Sequence, residues 1–239
     1  MQESKLLTGS ITKSLLIFAL PMIAGNLLQQ CYNIADTIIV GRFLGADALA
    51  AVGGAYTLMT FLTSILLGLC MGSGASFSIS YGQQDFDRMK AGIFQSFVFI
   101  GAVTLVLNAA VFIGIRGIIW FLRVPDSITG LMEDYLLVIF AGIVGTFLYN
   151  YFACLLRSIG NSRVPLLFLA VSAVMNIVLD LVFVVVFYWG VAGAAFATIL
   201  SQYVSGIGLA IYTKVRFPEM MPGKRHRRWD RGIFHEITS

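Results

Sequence analysis

The sequence predicts an all-α, polytopic membrane protein built as a bundle of six transmembrane helices. Three observations carry that expectation. Of 239 residues, 58% are hydrophobic and only 12% are charged, about half the charge of an average soluble domain. Lys and Arg divide the chain into long stretches with few or no charges, and a spanning helix needs only about 20 mostly apolar residues. None of these stretches alternates in the two-residue period that β-barrel strands keep over about ten residues.

The first expected span, residues 14–39, holds Pro21. Its ring removes the hydrogen bond to the Ile17 carbonyl and predicts a kink, either as fixed geometry or as a hinge. Asn26, Gln29, Asn33 and Asp36 then recur at intervals of three and four residues, which places them on one helix face. Amides alone on such a face serve helix–helix hydrogen bonding. With a carboxylate at its end, the stripe reads as the wall of a water-filled pathway. The second span, 50–81, is longer than a bilayer requires, so it should tilt or protrude. Its Gly68 and Gly72, and the small-residue run "GSGASFSIS", suggest close helix packing.

The third and fourth spans are 91–114 and 131–156. Between them Trp120 and Phe121 sit between Arg116 and Arg123, as in an interfacial segment. Pro125 and Asp126 supply a turn and a helix start. Glu133 and Asp134 suit the dipole at the start of the fourth helix. The fifth and sixth spans, 164–187 and 191–213, are separated only by a short turn around "YWG". Gly190, Gly193, Ala194 and Ala195 open the sixth span and permit a close backbone approach.

Asp180 is the second carboxylate deep inside a span, and it shares a face with Ser172 and Asn176. An ionised side chain at the bilayer centre costs about 3 kcal/mol on insertion scales. No Lys or Arg lies at this depth in the sequence, so the group is either protonated or paired with a cation that is not protein. Sodium and a proton are the candidates, because hard oxygen ligands suit small hard cations. In a tight hairpin, residues equidistant from the turn meet. Asp180 precedes Gly190 by ten residues and Thr198 follows it by eight. The Thr198 hydroxyl should therefore reach the depth of Asp180 and join Asn176 around one ion, with Gln202 one turn further on.

Loop charges predict the orientation. With the N-terminus inside, the inner segments hold Lys5, Lys13, Arg88, Lys90, Arg157, Arg163, Lys214, Arg216 and the tail cations Lys224, Arg225, Arg227, Arg228 and Arg231. The outer segments hold Arg42, Arg116 and Arg123. Thirteen against three places both termini in the cytoplasm. The expected organisation is a cytoplasmic segment 1–13, a transmembrane unit 14–213 and a basic cytoplasmic tail 214–239. The tail stretch "KRHRRWDRG" reads as a membrane-proximal anchor, not a nucleic-acid patch. The N-terminus has no signal-peptide cleavage pattern. Cys31, Cys70 and Cys154 stand singly in apolar runs and read as small core residues. There is no phosphate-binding loop, Cys/His cluster or nucleophile–base pair, and His226 and His235 both lie in the tail. Neither an enzyme nor a cofactor is expected.

Two longer stretches resemble a known family. "LPMIAGNLLQQCYNIADTIIVGRFLGADALAAVG", Leu20–Gly53, is similar to the first helix and following loop of multidrug and toxic compound extrusion (MATE) transporters. "LRSIGNSRVPLLFLAVSAVMNIVLDLVFV" with "WGVAGAAFATILSQ" resembles that family's fourth-to-sixth-helix region. The resemblance implies secondary antiport at the plasma (inner) membrane, in which an organic cation or amphiphile leaves as Na+ or H+ enters. It implies that Asp36, Asn176, Asp180 and Thr198 take part in cation coupling, and it adds Tyr135 and Asn150. MATE transporters have twelve helices in two lobes, and rocking one bundle against another needs both. The resemblance therefore implies the N-terminal lobe, working with a C-terminal lobe or a second copy. A fragment or incomplete gene product is the favoured expectation. The alternatives are a half-length assembly partner without transport and a lipid-linked oligosaccharide flippase. The flippase would need cations in its cavity to meet phosphates, and the spans supply none.

Overall fold

A computed structural model describes residues 11–226 and 232–233. Most of the expected N-terminal segment, with Lys5, lies outside the described residues, as do the tail cations Arg227, Arg228 and Arg231 and the tail residue His235. The described residues form seven long helices and no strand. They are α1 (Ile11–Leu44), α2 (Ala46–Gly82), α3 (Phe86–Phe121), α4 (Asp126–Ala141), α5 (Ile143–Ser158), α6 (Arg163–Asp180) and α7 (Gly190–Arg216). A π-helical stretch, Leu181–Val186, continues α6, and two short 3-10 turns, Pro218–Met220 and Lys224–His226, follow α7.

Helices α2, α3, α6 with its π-helical continuation, and α7 are each long and apolar enough to cross a membrane. The pair α4 and α5 makes a fifth crossing, bent by 46°. Helix α1 is 34 residues long and packs on α6 and α2, and with it the bundle has the six-helix arrangement expected.

Two spans depart from the single straight helices expected. The fourth, predicted as 131–156, begins earlier and is broken at Gly142, between Ala141 and Ile143. No proline lies at the break. Instead, a Cβ on Gly142 would stand 2.1 Å from Ile199 Cγ2 of α7, so glycine lets α7 press directly against the bend. The fifth span changes from α to π winding immediately after Asp180. By contrast, α1 stays helical through Pro21.

Helix α7 is the centre of the bundle, packing against α4, α5 and α6, while α1 lies on α6 and α2. Its inward face is nearly all small: Gly193, Ala194, Ala195, Ala197, Ser201, Ser205 and Gly206 are buried. A Cβ on Gly206 would meet the Gly145 carbonyl oxygen at 2.8 Å, so the α5 and α7 backbones touch. Dispersion across such close surfaces replaces the hydrophobic effect, which lipid cannot supply between helices. Gly190 instead serves the hairpin turn, at φ +61°. Gly68 and Gly72 make no such contact, because nothing lies within 4 Å of a Cβ at either. The close packing expected of the small-residue run is met at Gly74, two residues after Gly72, against Cys154. Cys70 and Cys154 are buried as expected, but Cys31 is exposed.

The second half of the core forms around Tyr151 of α5. Its ring meets Phe77 and Phe97 edge-on. Its hydroxyl donates to the Ile93 carbonyl at 2.7 Å and lies 2.8 Å from Ser96 Oγ, so the buried phenol is fully satisfied. Ser73, Ser96, Thr104, Ser201 and Thr213 return their hydroxyls to carbonyls four residues back. Apart from Ser96, which also meets Tyr151, these side chains are closed on their own helices.

At the helix ends, Asp85 caps α3 by accepting from the Arg88 amide at 3.0 Å. Trp120 and Phe121 are 80% and 77% exposed, consistent with an interfacial position. After α7 the chain folds back along α3. Met220 is buried, and Asp87 Oδ1 receives Arg225 Nη2 at 3.0 Å and His226 Nε2 at 2.9 Å. The Gly223 amide donates to His226 Nδ1, and Arg225 Nε lies 3.1 Å from His226 Nε2. The His226 hydrogen bond first, and then the Arg225 charge, hold the Asp87 carboxyl below its usual range.

Candidate functional site

The inner face of α6 carries Ser172, Asn176 and Asp180, one helical turn apart. All are buried, and Asp180 is 0% exposed. Across from them, α7 presents Thr198. Asn176 Nδ2 donates to Thr198 Oγ1 at 3.3 Å, and Thr198 donates to its own Ala194 carbonyl at 3.1 Å. Ser172 donates to the Ser201 carbonyl at 3.0 Å. Ser172 thus ties α6 to α7 one turn from the site.

What remains is a set of oxygens with nothing to accept. Both carboxyl oxygens of Asp180, the Asn176 Oδ1 and one carboxyl oxygen of Asp36 are buried and lack a hydrogen-bond partner. Such groups are costly in a low-dielectric interior unless something binds them. Asp36 and Asp180 lie near enough to interact electrostatically, and Tyr135 is within range of both.

Asp36 and Thr198 line a cavity of about 300 Å³. Gln30, Tyr32, Asn33, Asp36 and Thr37 of α1 line it, with Tyr56 and Met59 of α2, Tyr135 of α4 and Thr198 of α7. Thr198 belongs to both the cavity wall and the Asn176 contact, so it joins the cavity to the buried acceptors. No Lys or Arg among the described residues lines the cavity. Among the described residues, no three His, Cys, Asp or Glu side chains converge. The donor set of carboxylate, amide and hydroxyl oxygens matches a small hard cation or a proton.

The structure brings together Asp36, Asn33, Tyr135 and Thr198 at the cavity, with Asn176 and Asp180 behind Thr198. It is Asn176, not Asp180, that contacts Thr198. Asn26 and Gln29 are exposed and do not line the cavity. Gln30 takes their place and accepts from Asn33 Nδ2 at 3.2 Å. The helical period explains the correction: from Asn33, both i−3 and i−4 lie on the same side, and packing selects i−3. Asn150 lies on α5, beyond the break, and donates to the Thr146 carbonyl at 2.9 Å. It is absent from the cavity wall. Tyr32, Thr37 and Tyr56 were missed. Thr37 follows Asn33 by one turn and could have been found from the stripe; Tyr56 carried no signal apart from its helix.

The sequence model of the MatE family matches residues 21–182, which reach from α1 to just beyond Asp180. The chain belongs to the MatE family. It is 36% identical over 194 residues to the probable multidrug resistance protein YpnP of Bacillus subtilis, covering 81% of this chain and 44% of YpnP. It is 28% identical to the probable multidrug resistance protein NorM of Thermotoga maritima, covering 84% of this chain and 44% of that one. Among solved structures, an outward-facing multidrug resistance MATE family transporter superposes with a TM-score of 0.91 at 25% identity, over 99% of this chain and 52% of the other. A MATE structure described as in the straight conformation gives 0.84 at 27% identity, over 99% and 53%. This MatE chain therefore spans about half the length of the relatives it matches, and its six-span bundle corresponds to one lobe of their fold.

Proposed function

We propose that the chain is the N-terminal lobe of a cation-coupled multidrug antiporter, in which an organic cation or amphiphile leaves as Na+ or H+ enters. The observation that carries this is the group of unpartnered buried oxygens on Asp180, Asn176 and Asp36 beside a cavity with no basic lining. Asp180, Asn176 and Thr198 hold the coupling ion. Asp36 shares their electrostatic field and faces the cavity with Tyr135, so a cationic substrate and the coupling ion compete for the same negative charge. Two ligands that compete for one site have the negative coupling an antiporter requires.

In this reading Asn33 lies on the substrate path inside the lobe. Asn26 and Gln29, exposed on α1, face the cleft that a second lobe or a second copy would close. Pro21 is the hinge of α1, and Asn150 supports the site indirectly through α5. The basic loops favour a cytoplasmic position for both ends of the lobe. The acidic, Lys- and Arg-free cavity favours cationic cargo over a phosphate-bearing lipid-linked sugar.

The test is transport in vesicles by a transporter containing this lobe and its C-terminal counterpart. A fluorescent organic cation is loaded, and a sodium gradient or a pH gradient is imposed separately. The proposal expects one gradient to drive efflux and its collapse to abolish it. Efflux indifferent to both gradients overturns it.

A further inference from the structure

The break in the fourth span joins two features that the cation site alone does not explain. A helix that ends inside a bilayer leaves carbonyls without partners, and lipid offers none. Here each of the last two carbonyls of α4 receives a side chain from a different helix. Asn108 Nδ2 of α3 donates to the Phe140 carbonyl at 2.8 Å, and Tyr203 Oη of α7 donates to the Ala141 carbonyl at 3.2 Å. With no proline present, the backbone itself does not compel the bend. Gly142 permits it, Ile199 fills the space a Cβ would need, and the two donors replace the helical hydrogen bonds. Beyond the break, Thr146 donates to Gln202, which fastens α5 to the same stretch of α7.

The order of residues on α7 is telling. Thr198 stands at the cavity wall, Ile199 presses on the break, and Tyr203 lies one turn further and caps it. On α4, Tyr135 lies six residues before Ala141, on the short rigid segment whose angle the break sets. We infer that Asn108 and Tyr203 are positioning residues that pin this joint and thereby hold Tyr135 against the cation cavity. A shift of α7 at Thr198 is transmitted to α4 through Ile199 and Tyr203. The inference rests on Tyr135 being part of the cation site, but the position of Tyr135 can be read without any cation.

The test places 3-fluorotyrosine at position 135 of the chain in lipid nanodiscs and records its fluorine resonance. A second sample carries the label at Tyr151, in the core away from the joint. Tyr203→Phe removes one oxygen and leaves the ring in place; Asn108→Leu removes the other donor. The inference expects either substitution to shift the 135 resonance by more than its linewidth, or split it, while the 151 resonance stays in place. An unmoved 135 resonance in Tyr203→Phe overturns it, as does an equal shift at both positions, which would report general loosening. If Asn108→Leu does not fold, Tyr203→Phe alone decides. A separate titration of the unsubstituted chain with Na+ or acid tests the site reading. A 135 resonance that ignores both cations counts against cation binding and leaves the joint standing.

Discussion

The Asn176 amide donates to the Thr198 hydroxyl across the α6–α7 interface, and the Asn176 carbonyl oxygen is left buried without a partner. The amide has two faces with different tasks. Its nitrogen closes the hairpin, and its oxygen joins the two oxygens of Asp180 as an acceptor with nothing to accept. Thr198 donates to Ala194 and receives from Asn176, so its remaining lone pair is what it can offer a cation.

Removing the Thr198 hydroxyl should weaken cation binding without unfolding the lobe. Thr198→Val keeps the volume and deletes one ligand and one partner of Asn176. A hydrogen bond contributes about 0.5–1.5 kcal/mol net, so cation affinity should fall by roughly two- to twelvefold. Thr198→Ser should restore most of it. The measurement is cation-dependent thermal stabilisation of the purified chain.

The glycines at the α5–α7 seam should be far less replaceable than those on α2. Gly142→Ala and Gly206→Ala each drive a methyl group into an occupied position, and overpacking of this kind costs about 1–3 kcal/mol. Gly72→Ala meets nothing within 4 Å and should be neutral or stabilising, since alanine is the better helix former. Melting temperatures in detergent separate the two classes; a Gly206→Ala chain as stable as Gly72→Ala would contradict the packing described.

The contact between Asp87 and the segment after α7 should yield only in acid. The neighbouring His226 and Arg225 lower the Asp87 pKa from 3.8. A lowered folded value means that the contribution is present above the unfolded value and is lost as pH falls through the folded one. Asp87's share of the contact therefore stays constant above about pH 4 and fades below it. Asp87→Asn should expose the Arg225 bond to trypsin at neutral pH, with faster cleavage than in the unsubstituted chain. Equal cleavage rates would show that the carboxylate does not hold the segment.

Much of the bundle was legible because span length and charge spacing are one-dimensional signals. The hairpin argument placed Thr198 at the depth of Asn176 and Asp180 for the same reason, since a short turn fixes the register of two helices. The break after Ala141 was not legible. Its causes are Ile199, Asn108 and Tyr203, which are remote in sequence and meet Gly142 and its neighbours only after folding. The π-helical stretch after Asp180 gave no sign in a run of Val and Phe. Of the α1 stripe, Asn33 and Asp36 line the cavity and Asn26 and Gln29 do not, because periodicity defines a face but not how much of that face a lobe covers.

In the proposed function, the buried carboxylate of Asp180 binds the coupling cation. The most direct test of this is gradient-driven efflux of a fluorescent organic cation by vesicles bearing Asp180→Asn or Asp36→Asn in a transporter that contains this lobe. Asparagine is nearly isosteric and cannot carry the charge, so the account predicts loss of cation-driven efflux in both variants at near-normal protein levels. Coupled efflux retained in both would contradict it.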